Sequence, residues 1–480
     1  MALSSELNTY LRKIVLRGAP YVKGDLSKQD VRESLAVGNY DIAQILQEPK
    51  NREILEKLKS TPLRNLNVNI KEGADLTFEE AFLGMVYVLT ATNPLIKDAL
   101  TSDIQQAHGY SENNPGAVFD DQKALAMGTS FLDGMAIKES LKGLSPQEIA
   151  GMVAAAYMDV VCRVPLQECI DTCGMGGDKG FRIKDEKRKT INASTLSGIV
   201  LASLGKRAFK HGSYSNTSAV GSTDALEKLG ANLNQKSLDE ILDVFGKTNF
   251  HYSDAHLYKT VHDLSHLLKF ETVNHIVGPM TTPVSADTTL HRVIGVNHKI
   301  HPRDVAKAYA ILNERGFQKV GNVAVVSGLD QDYKNIKDMD NFAEVKPHML
   351  VDEISPYATL LGIVQNGKYV GCFMVKPEDF GVELEEDKIM LKNTEEVLTS
   401  MNCSAITGKD KANADYLAIN AVLNLFVCDY LGKEDAILNG NLNRTYLSES
   451  YQRCREAICS GKAVETLKSY VLATGGKPIL

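Results

Sequence analysis

The chain has 480 residues, 44% of them hydrophobic, and a net charge of −7, so it is long enough for two or three domains with a large core. This acidic balance, without a long basic run, argues against a nucleic-acid partner bound through its phosphate backbone. No apolar run approaches the ~20 residues of a membrane span, the first residues lack the apolar stretch of a secretory signal, and the cysteines form no C-x-x-C pair. We therefore expect a cytoplasmic protein without a membrane partner, a plastid or mitochondrial address being left open.

Two helix starts stand out in the N-terminal third of the chain. Thr77 and Glu80 have the spacing of a capping box ahead of an apolar run, and Ser145 with Glu148 repeats it, Pro146 taking the first helical position. Other helical stretches precede Thr77. We expect residues 1–70 to be a mostly helical extension and residues 71–165 to form a small helical domain.

The sequence pattern changes near residue 166. A helical stretch begins at Asn192, and the β-branched runs HRVIGV and NVAVVSG flank a segment of helical periodicity, which is a βαβ alternation. Asn366-Gly367 predicts the turn of a β-hairpin, and from about residue 412 the pattern is helical again. Residues 166–480 are thus expected to form a large α/β domain with a central β-sheet flanked by helices.

The stretch DTCGMGGDKGF, residues 171–181, is rich in glycine. Glycine lets backbone N–H groups converge on an anion, and the helix start at Asn192, Ser194 and Thr195 would add unpaired N–H groups of its own. These features predict a pocket for phosphate or pyrophosphate. An ordinary glycine turn followed by a helix cap would leave the same pattern.

Two later motifs favour the anion pocket. Residues 210–224, KHGSYSNTSAVGSTD, combine a lysine and a histidine with six serine and threonine residues, which suits phosphate and ribose oxygens. Asp352 and Glu353 follow a predicted strand, and adjacent carboxylates at a strand end suit Mg²⁺. Alone, such a pair is usually surface charge.

Taken in this order, the motifs resemble those of the anthranilate phosphoribosyltransferase family. The matches are Gly174-Met175-Gly176-Gly177-Asp178, Thr190, Asn192-Ala193-Ser194-Thr195, Lys210-His211-Gly212, Ser218, Gly221-Ser222, Asp224, Gly278-Pro279-Met280-Thr281-Thr282-Pro283 and Asp352-Glu353-Ile354-Ser355. The resemblance covers residues 75–470. It implies a small helical domain, joined by a segment near residues 250–280, beside a large α/β domain, with the active site in the hinge cleft. It also implies a phosphoribosyltransferase that uses 5-phosphoribosyl-1-pyrophosphate (PRPP) with Mg²⁺ and forms a homodimer.

The resemblance also assigns roles to residues. The donor would be bound by Gly174, Gly176, Gly177, Asp178, Thr190, Asn192, Ser194, Thr195, Lys210, Gly212, Ser218 and Ser222. The magnesium ligands would be Ser194, Asp352 and Glu353, and the catalytic side chains Lys210 and His211. The acceptor would lie near His211, Ser213 and Ser265, with His211 either facing the acceptor or shaping the loop.

The acceptor residues depart from the family pattern. Ser213 stands where the family has an asparagine near the anthranilate amine, and the family arginine that meets the anthranilate carboxylate aligns near Ser265. Because arginine is the natural partner of a planar carboxylate, we expect an acceptor other than anthranilate, a small aromatic or heterocyclic amine. The alternatives are anthranilate itself, a nucleoside phosphorylase, or a non-catalytic member that binds nucleic acid.

An insertion lies between Asp178 and Asn192. It is longer than in the family and reads as a charged loop that carries Arg182, Lys184, Lys187, Arg188 and Lys189. This loop could close over the donor or replace the missing carboxylate partner. A solvated charged loop with neither role is the other interpretation.

Overall fold

The computed structural model describes residues 45–46, 48–92, 94–109, 119–159, 163–183, 186–214, 218–234, 237–255, 264, 268 and 271–480. Ser265 and residues 1–44 of the expected N-terminal extension lie outside these ranges. Across the described ranges, no helix combines the length and the apolar character needed to cross a lipid bilayer.

Helices make up the described part of the chain up to residue 159, apart from short connections. They are α1 (Arg52–Ser60), α2 (Leu63–Lys71), α3 (Phe78–Thr92), α4 (Pro94–Ala107), α5 (Asp121–Leu141) and α6 (Pro146–Ala156). Both predicted helix starts are confirmed. The Glu80 N–H donates to Thr77 Oγ1 over 3.2 Å, and Ser145 and Glu148 form a complete capping box with Pro146 at the first position.

An eight-stranded, mostly parallel sheet follows. Its strands are β1 (Glu168–Gly174), β4 (Ala208–Gly212), β5 (Phe250–Asp254), β6 (Thr289–Gly295), β7 (Val320–Leu329), β8 (Met349–Val351), β9 (Thr359–Gln365) and β10 (Lys368–Val375). Their order is β10-β9-β7-β6-β1-β4-β5, with β8 paired to β7. The strands from β7 to β5 are parallel, whereas β8, β9 and β10 run antiparallel to their neighbours.

The remaining helices flank the sheet. They are α7 (Ala193–Ser203), α8 (Ser222–Lys228), α9 (Leu238–Thr248), α10 (Asn274–Met280), α11 (Pro302–Arg315), α12 (Phe342–Val345), α13 (Glu386–Ile389), α14 (Glu395–Ile406), α15 (Lys411–Asp429), α16 (Arg444–Cys459) and α17 (Lys462–Ala473). Two small sheets complete the fold. One joins β2 (Phe181–Ile183), β3 (Glu186–Lys189) and β11 (Leu391–Lys392), and the other pairs β12 (Ile437–Leu438) with β13 (Asn441–Leu442).

The sheet separates two hydrophobic cores. One core joins helices α1–α6, α10 and α11 to one face, and the other joins α7 and α14–α17 to the opposite face. Parallel strands that are covered on both faces are buried along their length, which explains why all of β7 and all but the first residue of β6 are buried. The expected α/β fold with a sheet flanked by helices is confirmed.

Local predictions in the α/β part are confirmed in two places. The β6–α11–β7 unit forms the predicted βαβ alternation, and β9 and β10 meet at Asn366 and Gly367, whose φ values of 50° and 75° fit a hairpin turn. Two stretches differ from the sequence pattern expected for them. Residues 250–254, at the start of the segment near 250–280 that was expected to join the helical domain, form strand β5 of the main sheet, and all five are buried. The charged loop after Asp178 is largely a hairpin, because β3 pairs with both β2 and β11.

Candidate active site

The predicted motifs gather at the carboxyl ends of neighbouring strands. Gly174 ends β1, Gly212 ends β4 and Gly295 ends β6, while Asp352 directly follows β8. β1 lies between β4 and β6 in the sheet, so the glycine loop after β1 is flanked on both sides. This edge of an open parallel sheet is where α/β proteins commonly bind ligands.

The glycine loop contacts Asp352 directly. The Gly176 N–H donates to Asp352 Oδ2 over 2.7 Å, and Asn297 Nδ2 donates to the Gly176 carbonyl over 2.9 Å. Gly176 and Gly177 have φ values of +68° and +65°, in the left-handed region that favours glycine. The glycines therefore bring the loop backbone and the acidic pair into one site.

Two further glycines make room for the acidic segment. A Cβ atom on Gly295 would lie 1.5 Å from the Asp352 carbonyl oxygen, and one on Gly328 would lie 2.4 Å from the Glu353 carbonyl oxygen. No real Cβ atom tolerates such distances, so a side chain at either position would displace the segment. The position of the acidic pair thus depends on small residues at the ends of β6 and β7.

Asp178, Asp352 and Glu353, which we call the acidic cluster, influence one another. Burial and then the charge of Asp178 raise the pKa of Asp352, and burial and then Asp352 raise the pKa of Glu353 to about 8. Thr190 Oγ1 donates a short hydrogen bond to Glu353 Oε1. Carboxylates held this close to one another gain from a bound cation.

Two lysines of the hairpin face Asp178. Lys189 Nζ lies 2.7 Å from Asp178 Oδ1, and Lys187 Nζ lies 3.5 Å from the same oxygen and 3.0 Å from the Asp178 carbonyl oxygen. Burial would lower the pKa of Lys189, but Asp178 and Asp352 raise it above its ordinary value. Lys189 is therefore held as a cation beside the acidic cluster.

Lys210 is buried on β4, near the carboxyl end of the strand. Its ammonium group donates to the Thr172 carbonyl over 2.8 Å and to Ser194 Oγ over 3.2 Å, and only 1% of the residue is exposed. Burial lowers its pKa, while the charge of Asp171 and, to a smaller extent, that of Asp352 act in the opposite direction. The contact with Ser194 places this lysine at the first turn of α7, where the helix N-terminus points into the site.

His211 belongs to a buried polar network. Its Nδ1 lies 2.6 Å from Asp171 Oδ2 and its Nε2 lies 3.3 Å from the Gly278 carbonyl oxygen. Asp171 also accepts hydrogen bonds from Thr282 and Arg292. Burial would raise the pKa of Asp171, but Arg292 and His211 hold it well below its usual range. These contacts hold the His211 ring between β1 and α10, whereas its catalytic assignment stays a prediction.

The first turns of α7 and α8 are joined through residues that were predicted to bind PRPP. Thr195 Oγ1 donates to Ser222 Oγ over 3.0 Å, and Asn192 Nδ2 donates to the Val220 carbonyl over 2.9 Å. Asn402 Nδ2 also donates to Asn192 Oδ1 over 2.6 Å, so the Asn192 amide anchors the two loops to α14.

The other predicted residues line the same loop. Gly212 leaves room beside Ser222 and the Tyr252 hydroxyl, each 3.0 Å from a notional Cβ atom. Ser213 Oγ donates to the Tyr214 carbonyl over 3.1 Å, and Ser218 Oγ accepts from the Val220 N–H over 3.4 Å. The serines that were expected to contact acceptor and donor therefore also hold the loop in shape.

Sequence reasoning assigned no site role to Asp171, Arg292 or Asn297. Arg292 is fully buried and donates to Asp171, Thr282 and the Pro279 carbonyl. An arginine within the apolar run HRVIGV was the available signal, because a charge in a buried strand needs a partner. Among the described residues, no group of three or more His, Cys, Asp or Glu side chains is arranged to hold a metal ion.

Comparisons with known proteins agree with this geometry. The family profile described as "Glycosyl transferase family, a/b domain" matches residues 166–349. The anthranilate phosphoribosyltransferase of Methanococcus vannielii is 30% identical over 331 residues, covering 68% of this chain and 86% of the relative. That of Ignicoccus hospitalis is 28% identical over 340 residues, covering 69% and 84%.

Solved structures show the same fold. The structure of anthranilate phosphoribosyltransferase from Saccharomyces cerevisiae in complex with PRPP and Mg aligns with a TM-score of 0.60 and 18% identity. The alignment covers 86% of this chain and 98% of the yeast chain. The enzyme from Thermus thermophilus gives a TM-score of 0.59 and 20% identity, with coverages of 85% and 99%.

Proposed function

The chain belongs to the anthranilate phosphoribosyltransferase family and is a phosphoribosyltransferase, and we propose that it transfers the phosphoribosyl group of PRPP to the amine of anthranilate. The observation that carries this proposal is the contact between Gly176 and Asp352, 2.7 Å from nitrogen to oxygen. It joins a loop suited to a diphosphate to a carboxylate suited to the metal that accompanies it.

The donor half of the site supports this reaction. The N-terminus of α7 and the backbone amides around Gly176 and Gly177 offer N–H groups to the phosphates. Lys210 adds a buried positive charge beside Ser194. These groups would stabilise the negative charge that collects on the departing pyrophosphate.

The pair Asp352 and Glu353 fits magnesium by the chemistry of its oxygen donors. Mg²⁺ usually binds proteins through one or two carboxylates and completes its coordination with phosphate oxygens and water. Asp352 and Glu353 would supply such carboxylates, and Ser194 would lie toward the phosphates. Bound there, Mg²⁺ would neutralise charge on the leaving group.

The chemistry proposed for these residues is a displacement at the ribose C1 atom. The bond from C1 to pyrophosphate breaks with oxocarbenium-like character while the acceptor nitrogen forms its bond to C1 and then releases a proton. The protein aligns the two substrates on opposite faces of the ribose and holds the pyrophosphate. His211, fixed by Asp171, would shape the acceptor side of this arrangement.

The choice of anthranilate revises the expectation from the sequence. Ser213 and Ser265 favoured another amine, but the relatives matched over most of their length bear the name anthranilate phosphoribosyltransferase. In the basic hairpin, Lys187 and Lys189 both contact Asp178, so these two lysines lie beside the donor half of the site. The assay below therefore tests directly whether anthranilate is the acceptor.

The direct test follows the fluorescence of anthranilate in the presence of PRPP, Mg²⁺ and the protein. Loss of fluorescence together with stoichiometric pyrophosphate release would support the proposal. Pyrophosphate release with another aromatic amine, but none with anthranilate, would contradict the acceptor assignment and retain the donor site. An inorganic phosphate and nucleoside mixture serves as the control for phosphorolysis.

We also propose a homodimer formed through the helical layer. Four large apolar side chains of α2 and α5 are exposed, namely Val68, Leu125, Ile137 and Leu141. Exposed apolar groups on neighbouring helices suit a partner surface. Light scattering on the wild type, on Leu125→Glu and on the double variant Leu125→Glu/Leu141→Glu tests this. A dimer that persists in the double variant would place the interface elsewhere.

A further inference from the structure

The hairpin β2–β3 presents a lysine to the acidic cluster in a fixed position. Lys187 and Lys189 are two residues apart on β3, so their side chains lie on the same face of the strand, and both contact Asp178. Lys189 pairs with Leu391 of β11, and Phe181 of β2 is buried in the core. The lysine therefore belongs to a three-stranded sheet instead of a solvated loop.

Lys189 differs from Lys187 in what surrounds it. The Lys189 ammonium is 2.7 Å from Asp178 Oδ1 and its side chain is 15% exposed, against 3.5 Å and 29% for Lys187. Asp352 and Glu353 also act electrostatically on Lys189. Lys189 thus contacts Asp178 directly and is influenced through charge by Asp352 and Glu353, the two carboxylates suited to a divalent ion.

A metal ion that binds to this cluster alone meets an opposing charge. Mg²⁺ at Asp352 and Glu353 would lie close to the Lys189 ammonium, and like charges at short range repel. If a diphosphate enters with the metal, its oxygens offer the lysine a new anionic partner. The affinity for the metal then depends on whether the diphosphate is bound. By thermodynamic reciprocity, the affinity for the diphosphate depends equally on whether the metal is bound.

We propose that Lys189 is the internal counter-ion of the acidic cluster and makes binding of the divalent metal conditional on binding of the diphosphate. In the free protein Lys189 neutralises part of the cluster. When metal and diphosphate enter together, Lys189 leaves Asp178 and pairs with a phosphate oxygen. The carboxylates of the acidic cluster are then available to the metal. Lys189 is then a positioning residue for the donor, and this inference rests on the donor site proposed above.

The test measures binding of ligands by calorimetry, without any reaction. Mn²⁺ alone is titrated into the wild type and into Lys189→Gln, and pyrophosphate is titrated in the presence of saturating Mg²⁺. We expect Lys189→Gln to bind Mn²⁺ alone about tenfold more tightly and magnesium pyrophosphate about tenfold more weakly. Opposite changes distinguish the proposed role from general damage to the site, which would weaken both ligands.

Matched variants control the measurement. Lys187→Gln removes a lysine from the same face of the same strand, and we expect changes of less than about threefold in both titrations, because its charge is farther from the cluster. Lys189→Arg keeps the positive charge and should behave like the wild type with Mn²⁺ alone. Circular dichroism verifies the fold, and Lys189→Met replaces the glutamine variant if that variant does not fold.

Several outcomes would overturn the inference. Equal or weaker Mn²⁺ binding by the variant without the charge would show that Lys189 does not compete with the metal. Unchanged pyrophosphate binding would show that the lysine does not contact the donor. If the wild type binds neither Mn²⁺ nor magnesium pyrophosphate, the proposed donor site fails as well, whereas a failure with anthranilate alone leaves this inference intact.

Discussion

The carbonyl oxygen of Asp352 lies 1.5 Å from the point where a Cβ atom on Gly295 would stand. The end of strand β6 and the acidic segment therefore share one volume, and only glycine leaves room for both. The neighbouring strand β1 repeats the arrangement, since a Cβ atom on Gly174 would lie 2.2 Å from Asp352 Oδ2. Asp352 and Glu353 can take this position because residues 174 and 295 are glycines without side chains.

The first prediction concerns Gly295→Ala. The methyl group must displace the Asp352 backbone, so we expect about 1–3 kcal/mol of destabilisation from overpacking and a loss of Mn²⁺ binding. Gly246→Ala is the control, because no atom lies within 4 Å of its notional Cβ atom and the residue is inside helix α9. Thermal melts and Mn²⁺ titrations check both, and unchanged metal binding in Gly295→Ala would refute the steric argument.

The second prediction concerns the pH dependence of stability. The pKa of Glu353 is raised from 4.5 in the unfolded chain to about 8 in the fold, so the folded state keeps a proton that the unfolded state has lost in this range. The contribution of Glu353 to wild-type stability therefore falls as pH rises from about 4.5 to 8. We expect Glu353→Gln, measured without divalent ions, to gain Tm over the wild type across this window and to level off above it. A constant Tm difference from pH 5 to 9 would contradict the raised pKa.

The third prediction concerns the buried network of Asp171. Asp171→Asn leaves the guanidinium of Arg292 without its charged partner, which typically costs 3–5 kcal/mol for a fully buried pair. The double variant with Arg292→Met should recover much of that loss, because both charges are then absent. The chain contains no tryptophan, so urea unfolding is followed by circular dichroism. If Asp171→Asn alone lowers the free energy of unfolding by less than about 1 kcal/mol, the network does not stabilise the fold as proposed.

The fourth prediction concerns Lys210. Lys210→Met removes the buried cation that faces Ser194, and we expect kcat/KM for PRPP to fall by about 10²–10³ with the fold retained. Lys206→Met is the matched control, since Lys206 precedes the same strand and pairs with Asp429 away from the site. A control that lost as much activity as Lys210→Met would point to general damage of β4.

Local signals made much of this fold predictable. The capping boxes at Thr77 and Ser145 and the turn at Asn366 involve atoms within a few residues of each other, so the sequence contains the whole interaction. The motifs of the site were also readable, because their combination and order along the chain are far more specific than any single motif. Their meeting at one sheet edge followed from the parallel arrangement.

Long-range pairing set the limit of prediction. The segment after Asp178 looked like a solvated loop because its charges hide the strand pattern, and its partner Leu391 lies far along the chain. Whether Lys189 contacts Asp178 depends on that pairing. Arg292 and Asp171 were likewise separate charges in the sequence, and the alignment of β1 with β6 joins them.

The placement of β1 between β4 and β6 has a consequence for biosynthesis. Glu168 on β1 aligns with Thr289 on β6, so on the order of a hundred residues must leave the ribosome before this edge is paired. Until then the strand that carries the glycine loop exposes backbone groups that attract other chains. The nascent protein should therefore depend on chaperones most strongly while the residues between these two strands are being translated.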